Sequence, residues 1–207
     1  MNRTIRSARV ITLLVIPALA ACSSREKRGP VQQQAMGDMS APVTIPKGAV
    51  FTAADVHFMQ GMIAHHAQAI YMSHMAKEHG ANPRLLKFAI KIDQSQIAEI
   101  GLMQDWLHRN GQSAPDTSSW RTMHMPGMLT AQQLKELDAS KGVDFDREFL
   151  TLMIQHHEGA LKMVSDLFAT PLAGQDVDVS VFAGDVQTVQ TAEIGTMHAM
   201  LDQLSND

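Results

Sequence analysis

The chain carries one helical phrase twice. Aligning residues 55–72 with 146–163 leaves eight of 18 positions identical: Asp55/Asp146, Phe58/Phe149, Met62/Met153, Ile63/Ile154, His65/His156, His66/His157, Ala69/Ala160 and Met72/Met163. A second block follows, in which Gln96, Ala98, Glu99, Ile100, Gly101, Met103 and Leu107 match Gln190, Ala192, Glu193, Ile194, Gly195, Met197 and Leu201. The repeat unit is therefore a pair of segments, about 52–110 and 145–204, and two copies of a pair must bury equivalent faces against each other.

Local signals make each segment a helix. Thr52 ahead of Ala53-Ala54-Asp55 predicts a capping-box start, and Gly80 predicts a stop near His79. Asn82-Pro83 supplies an N-cap followed by proline at the first helical position, and Asn110-Gly111 closes the second helix. In the second copy one helix is predicted from near Asp144 to about Phe168, and the last from between Ser180 and Asp185 to about Leu204. A short extra helix is expected from Thr130 to about Ser140 in the connecting segment. The fold class is all-α, a four-helix bundle of ferritin-like architecture made from two tandem helical hairpins.

Phe58, Met62, His65, Ala69 and Met72 are spaced 4, 3, 4, 3, the rhythm of a buried seam, and Phe149, Met153, His156, Ala160 and Met163 repeat it. On the second helices Ile92, Gln96, Glu99, Met103 and Trp106 correspond to Val186, Gln190, Glu193, Met197 and Met200. The expected core thus holds His, Glu and Gln among methionines. An unpaired polar group there costs about 1–3 kcal/mol, so these side chains must satisfy one another, bind water or bind a metal.

The compartment is set by the N-terminus. Arg3, Arg6 and Arg9 precede an apolar stretch from Val10 to Ala20, too short to span a bilayer as a mature helix, and Leu19-Ala20-Ala21-Cys22 resembles a lipobox. Residues 1–21 are read as a lipoprotein signal peptide, 22–50 as a lipidated Cys22 and flexible tether, and 51–207 as the bundle domain. The alternative is an ordinary secretory signal that happens to end in cysteine. The expected location is the cell envelope, lipid-anchored on the periplasmic face, with Ser23 favouring the outer membrane in a diderm cell. Cys22 is the only cysteine, so the domain has no intramolecular disulfide, thiolate metal site or cysteine nucleophile. Of 17 basic and 21 acidic residues, the three arginines of the leader are basic and none of its residues is acidic, which leaves 14 against 21 and a net charge of −7. Nucleic acid is not an expected partner. Homo-oligomerisation stays open.

Three features favour metal binding over a hydrogen-bonded core. Histidines come doubled, as His65-His66 and His156-His157; Met62 and Met153 sit one turn before them; and Met123-His124-Met125-Pro126-Gly127-Met128 places four soft donors in a linker. Thioether and imidazole together select copper, Cu(I) above all, over zinc, magnesium or calcium. The candidate ligands are Met62, His65, His66, Met153, His156 and His157, with Glu99, Met103, Glu193 and Met197 facing them and Met123, His124, Met125 and Met128 as an accessory site or lid. A di-iron centre lacks its Glu-x-x-His marks. The other function class is a non-metal structural or interaction bundle of the envelope. No Gly-rich phosphate loop, Gly-x-Ser-x-Gly elbow or His-Glu-x-x-His motif points to an enzyme.

The phrase Phe58-x-x-x-Met62-Ile63-x-His65-His66-x-x-Ala69, its copy from Phe149, the Met125–Met128 stretch and Gly142-x-x-Phe145-Asp146-x-x-Phe149 together resemble the domain-of-unknown-function 305 family. The resemblance spans about residues 52–204. It implies a ferritin-like fold and, since copper-binding envelope members are known in that family, copper handling. Met200 stands where the first copy has Trp106, so the two halves need not bind metal equally. His57, His74, His79, His108 and His198 have no repeat partner and are expected at the surface.

If the lipobox reading holds, Cys22→Ser moves the protein from the membrane fraction to the soluble envelope fraction, as checked by cell fractionation; identical partitioning of both forms would refute it.

Overall fold

The computed structural model describes residues 43–205, so the leader, Cys22 and most of the tether lie outside the described residues. Five α-helices follow in order: α1 Ala53–Glu78, α2 Pro83–Arg109, α3 Ala131–Ala139, α4 Gly142–Ala169 and α5 Val177–Leu204, with a 3-10 turn at Thr117–Arg121. Among the described residues there is no strand, and no helix is long and apolar enough to cross a membrane.

Four of the five α-helices begin where a side chain accepts their free N–H groups, and α4, behind Lys141, begins without a side-chain cap. Thr52 caps α1 in a reciprocal box with Asp55, and Thr130 does the same for α3 with Gln133. Asn82 Oδ1 accepts from Arg84 N and Leu85 N ahead of Pro83. The fourth helix starts at Gly142, two residues before the expected Asp144, and the fifth at Val177, earlier than expected, because Asp176 accepts from Val179 N. Asp176 also accepts from the buried Trp106 indole, at 3.0 Å, so the cap joins the α5 start to the α2 end.

Each hairpin packs α1 on α2 and α4 on α5, and the hairpins meet through α1 and α4. Two apolar clusters result. One gathers Phe58, Met62, Met103, Trp106, Met163, Val179, Phe182 and Val186; the other gathers Met72, Leu85, Phe88, Ile92, Phe145, Phe149, Met153, Met197 and Met200. Each combines one half of α1 with the opposite half of α4, as antiparallel crossing requires. The doubled histidines fall between them. The helix α1 departs from the single-stripe expectation: Phe58 to Ala69 is buried on every side, because α2, α4 and the linker surround it. His79 also departs from its expected surface position. It is buried, bonded through Nδ1 to Met75 O and through Nε2 to Asp138 O and Oδ1.

The repeated Asp55 and Asp146 turn out to be cross-ties. Asp55 Oδ1 accepts from Gly174 N, in the α4–α5 loop, at 2.6 Å. Asp146 accepts from Asn82 N and Asn82 Nδ2, in the α1–α2 loop, at 3.1 and 2.7 Å. Each hairpin thus inserts a buried carboxylate into the turn of the other, and these bonds are charge-assisted. Asp146→Ala is expected to lower the unfolding free energy by about 1.5–3 kcal/mol, read as a lower urea midpoint with helical circular dichroism retained.

Candidate metal centre

Successive residues on an α-helix point about 100° apart, so a His-His pair addresses two neighbours at once. His65 of α1 and His156 of α4 face each other across the hairpin interface with ring centroids 3.8 Å apart and planes inclined by 40°. His66 turns to α2, where Nε2 donates to Glu99 Oε2 at 2.6 Å, and His157 turns to α5, where Nε2 donates to Glu193 Oε2 at 2.9 Å. All four histidines are fully buried.

The hydrogen-bond balance of this layer is incomplete. His65 Nε2 lies 3.1 Å from the Pro126 carbonyl oxygen, which can only accept. The Nδ1 atoms of His65, His66 and His157, and both ring nitrogens of His156, are buried without a hydrogen-bond partner. Three imidazoles that donate through Nε2 keep a lone pair on Nδ1 when neutral. A carboxylate behind the far nitrogen is also the usual second partner of a metal-bound histidine.

Electrostatics keep the facing His65 and His156 rings uncharged. Burial, reinforced by the neighbouring His66, lowers the His65 pKa from its ordinary 6.5 to about 3, against the opposing Pro126 hydrogen bond. Burial followed by His65, His157 and His66 holds His156 well below the same value. Burial alone would raise the Glu193 pKa, but the His157 bond and Lys91 Nζ, 3.4 Å from Oε1, leave it lowered.

The remaining candidates divide. Met62 and Met103 lie in one apolar cluster and Met153 and Met197 in the other, on opposite sides of the histidine layer. Met125 turns inward and is buried in the same cluster as Met62, over Gly61; Met123 and Met128 are half-buried against that cluster. His124 faces solvent with Nδ1 donating to Thr122 O. The linker therefore sends its donors to different places. Glu99 and Glu193 stand behind His66 and His157. Among the described residues no three His, Cys, Asp or Glu side chains gather as a ready metal cage. Sequence reading placed Met163 on the seam without choosing it as a donor. In the structure its Cε lies 3.4 Å from where a Gly61 Cβ would be, with Met125 Cγ at 3.7 Å, so both methionines lie over Gly61. It also missed the Pro126 carbonyl, since a backbone oxygen leaves no mark in side-chain spacing.

Fold and site together define a duplicated helical-hairpin bundle with a buried His-His layer between methionine-rich cores. The chain belongs to the DUF305 family, a domain of unknown function, which matches residues 55–201. Solved relatives agree. A DUF305 protein from Streptomyces coelicolor, described as secreted, is 27% identical with a TM-score of 0.64, covering 73% of this chain and 94% of its own. A DUF305 fragment from Deinococcus radiodurans has the same identity and TM-score, covering 74% and 98%. CopM in its Cu(I)-bound form is 28% identical with a TM-score of 0.58, covering 72% and 96%, and CopM is also solved with Cu(II) and with silver. No curated protein matches.

An unfolded imidazole takes a proton near pH 6.5, whereas folded His65 resists one until about pH 3. Between those values the unfolded chain binds more protons, so stability falls as pH drops, by up to about 1.4 kcal/mol per pH unit for each such histidine. The urea midpoint of the metal-free protein is expected to be flat above pH 7 and to fall steadily towards pH 4. A protein changed at both His65→Gln and His156→Gln should show a shallower slope.

Proposed function

We propose that the chain is a cell-envelope lipoprotein, anchored through Cys22, that binds copper, with Cu(I) favoured, in sequestration, trafficking or resistance. The observation that carries the reading is the set of buried, unpartnered imidazole nitrogens on the four doubled histidines. An unmet buried nitrogen costs about 1–3 kcal/mol, and several in one layer are a standing cost that a ligated metal removes. The Nδ1 atoms of His65, His66 and His157, with either nitrogen of His156, are the imidazole donors; Met62, Met125 and Met163 supply thioethers on one side, Met153 and Met197 on the other. Glu99 and Glu193 orient His66 and His157. Thioethers tip the selection towards a soft monovalent ion.

Two comparisons support this. CopM has been crystallised with Cu(I), Cu(II) and silver, and a relative is described as secreted, in keeping with the order of charged, apolar and small residues before Cys22. A purely structural role has the His66–Glu99 and His157–Glu193 bonds in its favour. It gives no partner to the other nitrogens.

Competitive titration against a Cu(I) chelator tests the reading. The protein should hold Cu(I) or Ag(I) more tightly than Zn(II), and combining His65→Gln with His156→Gln should cost about tenfold or more in affinity with helicity kept, since glutamine is a fair helix former. Equal copper retention by both proteins, or retention by neither, would transfer the histidines to the structural account.

A further inference from the structure

Among the positions at which the two copies differ, one faces the linker in both. Residue 68 of the first copy aligns with residue 159 of the second, and they are Gln68 and Gly159. Both touch the same segment, Met125–Leu129, which lies across α1 and α4 over the histidine layer. On α1 the buried Gln68 amide takes both backbone groups of Leu129: Leu129 N donates to Oε1 at 2.7 Å, and Nε2 donates to Leu129 O at 3.0 Å. On α4 the segment's backbone rests directly on the helix backbone. A Cβ at Gly159 would overlap the Pro126 oxygen and lie 2.5 Å from Gly127 Cα. Gly127, at φ 75° in the left-handed region, has no room for a Cβ either, with Gln155 O and Gly159 Cα at 2.6 Å. Gln155 Nε2 adds a bond to Gly127 O at 3.3 Å.

This seating delivers the Pro126 carbonyl to His65 Nε2. Its repeat mate His156 receives no oxygen from the linker: the His65 backbone carbonyl acts on its ring, but neither ring nitrogen completes a hydrogen bond. Two histidines that the repeat makes equivalent are therefore held differently, one with its tautomer fixed and one without.

We infer that Gln68 and Gly159 are positioning residues for His65: through the Met125–Leu129 strap they hold the Pro126 carbonyl on Nε2, commit Nδ1 as the metal donor, and leave His156 as the adjustable partner. The inference rests on the copper reading for the donor role of Nδ1, and on the strap geometry for the tautomer.

The two parts are tested separately on the full-length protein labelled with 15N at histidine. Without metal, two-bond 1H–15N spectra should show His65 as the single Nε2–H tautomer. Gly159→Ala should lift the strap at α4 and turn His65 into a tautomer mixture, leaving His66 and His157 as Nε2–H donors to their glutamates. Gln68→Ala releases the other end without a clash and should give the same spectral change even if Gly159→Ala does not fold. Both variants should lose about 10- to 100-fold in Cu(I) affinity. A wild-type His65 that is already mixed, or that stays fixed in Gln68→Ala, overturns the positioning role. Altered tautomers with unchanged Cu(I) affinity overturn the link between tautomer and donor. A wild type with a fixed His65 that holds no Cu(I) overturns the copper reading and with it the donor role, while the tautomer result identifies that as the failing part.

Discussion

The structure turns on two neutral imidazoles pressed together where α1 crosses α4. Rings 3.8 Å apart and fully buried cannot both be charged, because burial and mutual repulsion act in the same direction. Neutrality frees lone pairs on nitrogens that are buried and without a protein partner. Everything nearby then sorts by whether it can bond to an imidazole from behind: Glu99, Glu193 and the Pro126 carbonyl can, and each occupies an Nε2. The methionine clusters on either side cannot, and so they form the soft walls of the layer. Under the proposed copper reading, stability and ligand binding are opposed, since the arrangement that leaves donors available is the one that leaves them unsatisfied.

The carboxylates at the two ends of the bundle solve a different problem. Short loops alone would let the hairpins slide along their shared interface. Asp55 and Asp146 each grip backbone N–H groups in the opposite hairpin's turn, so the register of α1 against α4 is fixed at both extremities. That register is what sets His65 opposite His156 and not one turn away.

Most of the architecture was legible in the sequence because it is written in caps and periodicity. Thr52, Asn82-Pro83 and Thr130 place three helix starts, and the 4-3-4-3 spacing finds the seam. The α5 start was less legible: Asp176 follows a loop with Pro171 and Gly174 and precedes Val177-Asp178-Val179, which carries no strong helical pattern, and its role as a cap is set by a tertiary bond to Trp106. The site was legible as a set of residues but not as a geometry. Spacing cannot tell that Met62 and Met153 fall on opposite sides of the histidines, since antiparallel crossing sends equivalent residues apart. Nor can it show that Met125 enters the core while His124 does not, because a linker has no period. Likewise His79 looks like a surface residue until α3 supplies the Asp138 carbonyl.

The Gln68/Gly159 difference has a consequence for why the hairpins share one chain. Two identical hairpins associating as separate molecules would carry the same residue at this position in both, so a strap would meet either two amides or two bare backbones, and any tie on one side would be repeated on the other. Covalent fusion removes that constraint. Once each half has its own sequence, a single crossing segment can be gripped on one side and accommodated on the other. The linker then serves as more than a tether between halves, for it has no counterpart in the repeat, and it distinguishes left from right in an otherwise paired molecule.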